Sequence, residues 1–254
     1  MTPNARRVYG VPVQELFGCF SHRNFNRKLF ALFTGYIDDS GSKESNLFTL
    51  SCLVGWGSQW FWFEQAWIKL LEETNKSLEA QGRKQLSRYH AADCSSCYND
   101  FQGWTRDEQI EFTTKIINIF RRHPMLIASY TVNLRELVDE IPETKPSPLR
   151  FAYVILLNHL MIEIGNLVVN RKEYSNDRVA LIHDRCDYDA ALLEMFNYVK
   201  ADPAFKYRNL YSTIAPMSWE DCVPLQPADL LMKISKKPRV ETQKGKEGKL
   251  WNFY

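Results

Sequence analysis

Ala31-Leu32-Phe33-Thr34-Gly35-Tyr36-Ile37 runs directly into Asp38-Asp39-Ser40-Gly41-Ser42, and Leu47 to Val54 resumes as a second apolar and β-branched run. A short apolar run ended by turn-forming residues reads as a strand, and two of them in succession read as a hairpin. Gly55 and Gly57 close the second run. The residues that follow change period. Trp56, Trp60, Phe63 and Trp67 recur at spacings of four, three and four, which is one face of a helix predicted over Gln59 to Gln81, with Ser58 as its cap. That face is expected to pack on the sheet. Phe61 and Trp62 point elsewhere and are the better candidates for a partner.

Outward from there the pattern alternates. Residues 83–104 read as loop. Thr105 with Glu108 three residues on is a capping box for a helix to about Arg122. Met125 to Val132 reads as a strand, and Pro146 and Pro148 precede a long apolar helix over about 149–171. Arg178 to His183 is a short buried strand ending at Asp184, followed by a helix over about 188–200. Leu210 to Ala215 is the last strand, and Pro227 opens a final helix to about Ser235. The order β-β-α-β-α-β-α-β-α predicts an α/β domain, a mixed sheet flanked by helices.

At 254 residues the chain can bury a core without disulfides or metal. The apolar fraction of 45% and charged fraction of 24% exclude a disordered or collagen-like chain. The most apolar run, Phe151 to Val169, is broken by Asn158, His159, Glu163 and Asn166, so it is expected to be buried or amphipathic rather than membrane-spanning. No apolar run follows Arg6 and Arg7, so no signal peptide is read there and a cytoplasmic location with six free cysteines is expected. Charge is uneven. Residues 1–30 carry five basic groups and one acid, and residues 236–254 carry six basic groups and two acids, which leaves the body between them acidic. Basic ends are commonly solvated chain, and they are also what touches phosphates.

Asp38 and Asp39 fall at the end of the first strand, Asp184 at the end of a later one, and Asp229 in the first turn of the last predicted helix. Two strand ends and a helix start can meet at one sheet edge, where gathered carboxylates suit Mg²⁺ or Mn²⁺. Two such ions would stabilise both the attacking and the leaving oxygen of a phosphodiester. Each acid also has a plain reading: Asp-Asp-Ser-Gly is a good turn, and an acid near a helix start is favoured by the macrodipole.

Tyr36-Ile37-Asp38-Asp39-Ser40-Gly41 resembles the Asp-Glu-Ser-Gly opening of the bacterial family known as domain of unknown function 3800. Val223-Pro224-Leu225-Gln226-Pro227-Ala228-Asp229-Leu230-Leu231 resembles its closing Leu-Gln-x-Ala-Asp motif. His90-Ala91-Ala92-Asp93 with Phe101-Gln102-Gly103-Trp104 is similar to its middle block. The resemblance spans residues 31–235, between a basic extension (1–30) and a basic tail (236–254). It implies a ribonuclease-H-like fold and divalent-metal nuclease chemistry on nucleic acid, DNA or RNA. By position it makes Asp38 and Asp229 metal ligands. Asp184 joins them by location, and Asp39, where that family more often has Glu, assists. Ile234 stands where a further acid is often found, and Glu163 is the acid available on the helix after the third strand. An incomplete set would instead make the chain a non-catalytic nucleic-acid-binding or accessory protein on the same fold.

His90 reads either as a proton shuttle or phosphate ligand beside the acids, or as packing. With Cys94 and Cys97 it also forms a partial zinc set that needs a distant fourth ligand such as His183, Cys186 or Cys222. The His-x-Glu and Pro-Cys pattern of zinc deaminases is absent, as is a Gly-rich phosphate loop.

Overall fold

The computed structural model describes residues 32–42, 46–140, 148–170 and 178–235. The expected basic extension (1–30) and tail (236–254) lie outside the described residues. Five strands form one mixed sheet: β1 (Leu32–Ser42), β2 (Leu47–Trp56), β3 (Leu126–Asn133), β4 (Arg178–Asp184) and β5 (Tyr211–Met217). Their order across the sheet is β3-β2-β1-β4-β5. β2 pairs antiparallel with both β1 and β3, while β1–β4 and β4–β5 are parallel. Only β2 therefore runs against the rest.

Seven helices complete the described chain. They are α1 (Gly57–Ala80), α2 (Ala91–Ser96), α3 (Arg106–Arg122), α4 (Leu134–Glu140), α5 (Pro148–Val169), α6 (Asp189–Ala201) and α7 (Leu225–Ser235). The period-2 alternation of the strands sorts them into layers. Tyr36, Leu53, Ile127 and Ile182 point to one face and are covered by α1, α3 and α7. Phe33, Ile37, Leu50, Val54 and Leu181 point to the other and are covered by α5 and α6. β4 is buried on both faces, as a strand inside a helix-covered parallel pair must be.

Local chemistry explains most boundaries. Thr105 accepts a hydrogen bond from the Glu108 N–H, and Glu108 accepts one from the Thr105 N–H, so α3 starts where the capping box predicts. α1 begins earlier than predicted. Gln59 Oε1 accepts from the Trp56 N–H at 2.8 Å, so Trp56 rather than Ser58 precedes the helix. Trp60, Phe63 and Trp67 are fully buried, as their spacing predicts, and Trp62 is exposed. Trp56 departs from that face and packs on Phe33 in the other layer.

Three further expectations need correction. The first strand does not stop at Ile37. It continues to Ser42, pairing Asp38 with Ser51 and Asp39 with Leu50, so both acids lie within a strand rather than in a turn. Residues 83–104 are not all loop, since α2 and a 3-10 turn at Asn99–Phe101 form there. The last helix begins at Leu225, so Asp229 lies in its second turn. α5 is long and apolar enough to cross a membrane, but half of its most apolar window is buried in the fold, where Leu156, Leu160, Ile164 and Val168 pack against the sheet.

Candidate metal centre

The parallel pairing of β1 with β4 sets the site. Ile37 pairs with His183, so Asp38 and Asp184 follow side by side at the same end of adjacent strands. Adjacent strands stand about 4.8 Å apart. Both acids have even numbers, as do Tyr36 and Ile182, and so project to the face that α7 covers. α7 packs against β1 and carries Asp229. A cleft of about 350 Å³ results, lined by Asp38, Asp39, His90, Asp184 and Asp229 together with Arg88 and Trp219.

The structure thus brings all five sequence-derived residues to one cleft, but it does not treat them alike. Asp38 is densely surrounded by protein. Burial raises its pKa well above the usual carboxylate range, and the charges of Asp229, Asp39 and Asp184 raise it further; the Asp39 N–H, 2.9 Å from Oδ1, opposes this. No cation stands among those influences. Asp184 is raised as well, first by burial and then by Asp39. The Arg185 N–H at 3.0 Å, the Trp219 N–H and the Arg88 guanidinium pull the other way. Arg88 is held over the Trp219 ring, with its guanidinium carbon 3.6 Å from the centroid.

Asp39 has the opposite parity, and its carboxylate turns to the other face of the sheet. There it accepts from the Tyr153 hydroxyl of α5. Asp39 therefore edges the cleft and acts on Asp38 and Asp184 through its charge.

Asp229 has a structural duty as well. Its Oδ2 accepts from the Ala91 N–H at 2.6 Å, at the start of α2, and lies 3.9 Å from His90 Nε2. Oδ1 is the oxygen available to a cation. Gln226, one turn before it, accepts from the Tyr89 N–H at 3.1 Å and from Trp67 Nε1 at 3.2 Å. The closing Leu-Gln-x-Ala-Asp motif and the His90-Ala91 block are therefore adjacent in space, tied by these hydrogen bonds. His90 Nδ1 lies 3.0 Å from Asp93 Oδ2, at an angle that makes no hydrogen bond.

Asp38, Asp184 and Asp229 offer carboxylate oxygens, the ligand type that hard divalent cations take, but their ligand atoms do not all come within 4.8 Å of one another. The zinc set built on His90 does not assemble. Cys94 is buried, the Cys97 thiol donates to the Trp104 carbonyl at 3.3 Å, and His90 faces Asp93 and Asp229. Among the described residues, only His183, Cys186 and Asp189 bring three ligand atoms within 4.8 Å of one another. Glu163 stays away from the cleft, on α5 beside the Tyr130 hydroxyl.

Sequence reasoning missed Arg88, Trp219, Tyr153 and Gln226. Gln226 was visible as part of the closing motif. Nothing local marks the other three, because their partners are distant in sequence. No known family model matches this chain, and no curated protein matches it.

Proposed function

We propose that this chain is a divalent-metal-dependent nuclease that hydrolyses phosphodiester bonds, built on a ribonuclease-H-like fold. The observation that carries the reading is the meeting of Asp38, Asp184 and Asp229 at one cleft at the sheet end, where burial first and the neighbouring acids second raise the Asp38 pKa. The strand order, with β2 alone reversed, supports the ribonuclease-H-like description. The resemblance to the domain of unknown function noted above points the same way.

Asp38, Asp184 and the Oδ1 of Asp229 would hold the metal. When bound, Mg²⁺ or Mn²⁺ supplies charge stabilisation to the attacking and leaving oxygens. Arg88 faces the same cleft, its guanidinium steadied by Trp219, and meets the phosphate's non-bridging oxygens. His90, which lines the cleft with Nε2 3.9 Å from Asp229 Oδ2, would be the group placed to pass a proton to the leaving oxygen. Gln226 and Asp229 fix the segment that carries Arg88 and His90, so the acids and the basic groups keep their spacing.

Asp229→Asn is the direct test. An amide oxygen can still accept from Ala91, so the fold is kept while a charge is lost. Cleavage of labelled DNA and RNA in Mn²⁺ is expected to disappear, and the rise in melting temperature on adding Mn²⁺ with it. A variant that keeps both removes Asp229 from the site. A second reading, a non-catalytic nucleic-acid-binding protein on this fold, is favoured by the duty of Asp229 Oδ2 toward Ala91. It predicts metal-independent binding of nucleic acid and no cleavage by the wild type.

A further inference from the structure

The sheet has two edge strands, and the chain guards only one of them. β5 carries Pro216, which has no N–H to offer, and its register with β4 slips between Val179 and Ala180. β3 has neither device. Its residues, Leu126 to Asn133, include no proline, no glycine and no charge, and its pairing with β2 is unbroken. Among the described residues, no strand pairs with its outer edge. A regular, uncharged edge is a template for another strand. We propose that β3 pairs antiparallel with β3 of a second copy of this chain, about a two-fold axis beside Tyr130, so that the two sheets become one.

What lies beneath the strand decides the occupant. α5 packs under β2 and β3 alike, so its axis lies about half a strand spacing inward of β3. With strands about 4.8 Å apart, a two-fold axis perpendicular to the sheet at this edge sets the two α5 helices roughly 10 Å apart, near the separation of packed helices. α5 carries only Arg150 and Glu163 as charged residues in 22, and Ile162 and Val169 are exposed on it. A helix apolar on all sides belongs between layers. A lone extended peptide would satisfy the strand and leave the helix bare, whereas a second copy meets both.

The flank is self-complementary, as a two-fold interface requires. The Tyr130 ring centroid lies 5.5 Å from that of His159, and the Tyr130 hydroxyl donates to Glu163 Oε2 at 3.4 Å. His159 is exposed, and Glu163, one turn further along α5, is partly so. A two-fold axis at Tyr130 sets His159 of each copy against Glu163 of the other, an imidazole against a carboxylate. β3 is about 27 Å long, and the sheet with its α5 layer is about 20 Å deep. That gives roughly 550 Å² per copy and about 1,100 Å² in all, just above the roughly 1,000 Å² that a specific interface needs. The expected assembly is a dimer that dissociates on dilution.

Sedimentation velocity of the full chain, from micromolar to near-millimolar concentration, is the test. The wild type should pass from monomer to dimer over that range, and exchange of the outward-facing β3 amides should slow with it. Thr131 is exposed, so Thr131→Lys adds a charge at the edge of each copy and should hold the chain monomeric with native circular dichroism. His159→Glu should weaken the dimer at least tenfold, and adding Glu163→His to the same chain should restore it. A wild type that stays monomeric throughout overturns the proposal, and so does a dimer of unchanged affinity in Thr131→Lys. Outward β3 amides already protected in the dilute monomer would mean that another segment of the chain covers the edge, which overturns it as well. If Thr131→Lys does not fold, the charge swap decides: a double variant that fails to recover the dimer overturns the proposal.

Discussion

Asp38 concentrates the energetics of the cleft in one side chain. Its pKa in the folded chain lies above the unfolded value of about 3.9, because burial and three neighbouring acids oppose its charge. The favourable contribution of the protonated carboxyl is complete below the unfolded value. It is lost as pH rises through the folded one. Asp184 shifts in the same direction for the same first cause. Metal-free protein should therefore lose stability as pH climbs from about 4 toward neutrality. Asp38→Asn should remove its share of that slope. At neutral pH the metal-free variant should be more stable than the wild type, because the amide carries no charge for burial and the neighbouring acids to oppose. Its melting temperature without metal should rise accordingly. The same variant should lose stabilisation by Mn²⁺. Thermal melts across pH, with and without Mn²⁺, check both halves, and an unchanged pH profile would deny that Asp38 is the strained group.

Among the elements, α5 packs most tightly at its small residue. A Cβ on Gly165 would fall inside contact distance of the Tyr207 ring, near the base of that side chain, where it cannot swing away. Tyr207 is buried, and its hydroxyl is bonded to Asn166, the next residue of α5. Gly165→Ala should gain up to about 1 kcal/mol of helix propensity. It should lose about 1–3 kcal/mol by overpacking. A net destabilisation is expected, read as a lower midpoint in urea with an unchanged slope. The same residue pair shows what period alone leaves out. The apolar run of α5 was legible as a buried helix, but the ring lying on Gly165 comes from a segment some forty residues later, a separation no helical periodicity spans.

At the scale of the whole molecule, charge is divided between an acidic body and two basic ends. An acidic cleft repels nucleic acid unless cations intervene, so on the proposed nuclease reading the basic residues of 236–254 would supply phosphate contacts. Deleting residues 236–254 should weaken nucleic-acid binding and flatten the dependence of log affinity on log salt. The effect should be modest, since on the proposed reading Arg88 and the metal would act within the cleft. Filter binding over a range of salt concentrations measures it, and an unchanged slope would leave the tail without phosphate contacts.

The amino-acid sequence by itself determined the alternation of strands and helices, the capping box of α3, the buried face of α1 and the identity of the acids. These are local or periodic features, written within a few turns of the chain. Tertiary structure alone decided three other matters. Pairing with β2 extended β1 through Asp38 and Asp39, because a neighbouring strand satisfies backbone groups that would otherwise turn out to water. Strand alternation then sent the two consecutive acids to opposite faces, one to the cleft and one to Tyr153. Finally, the parallel register of β1 with β4 set Asp38 beside Asp184, and hydrogen bonds from the Tyr89 and Ala91 N–H groups to Gln226 and Asp229 brought His90 and Arg88 to the same place. Register and side-chain docking depend on contacts between residues more than a hundred positions apart. Their energies belong to the assembled sheet and helix layers, and no stretch of sequence carries them alone.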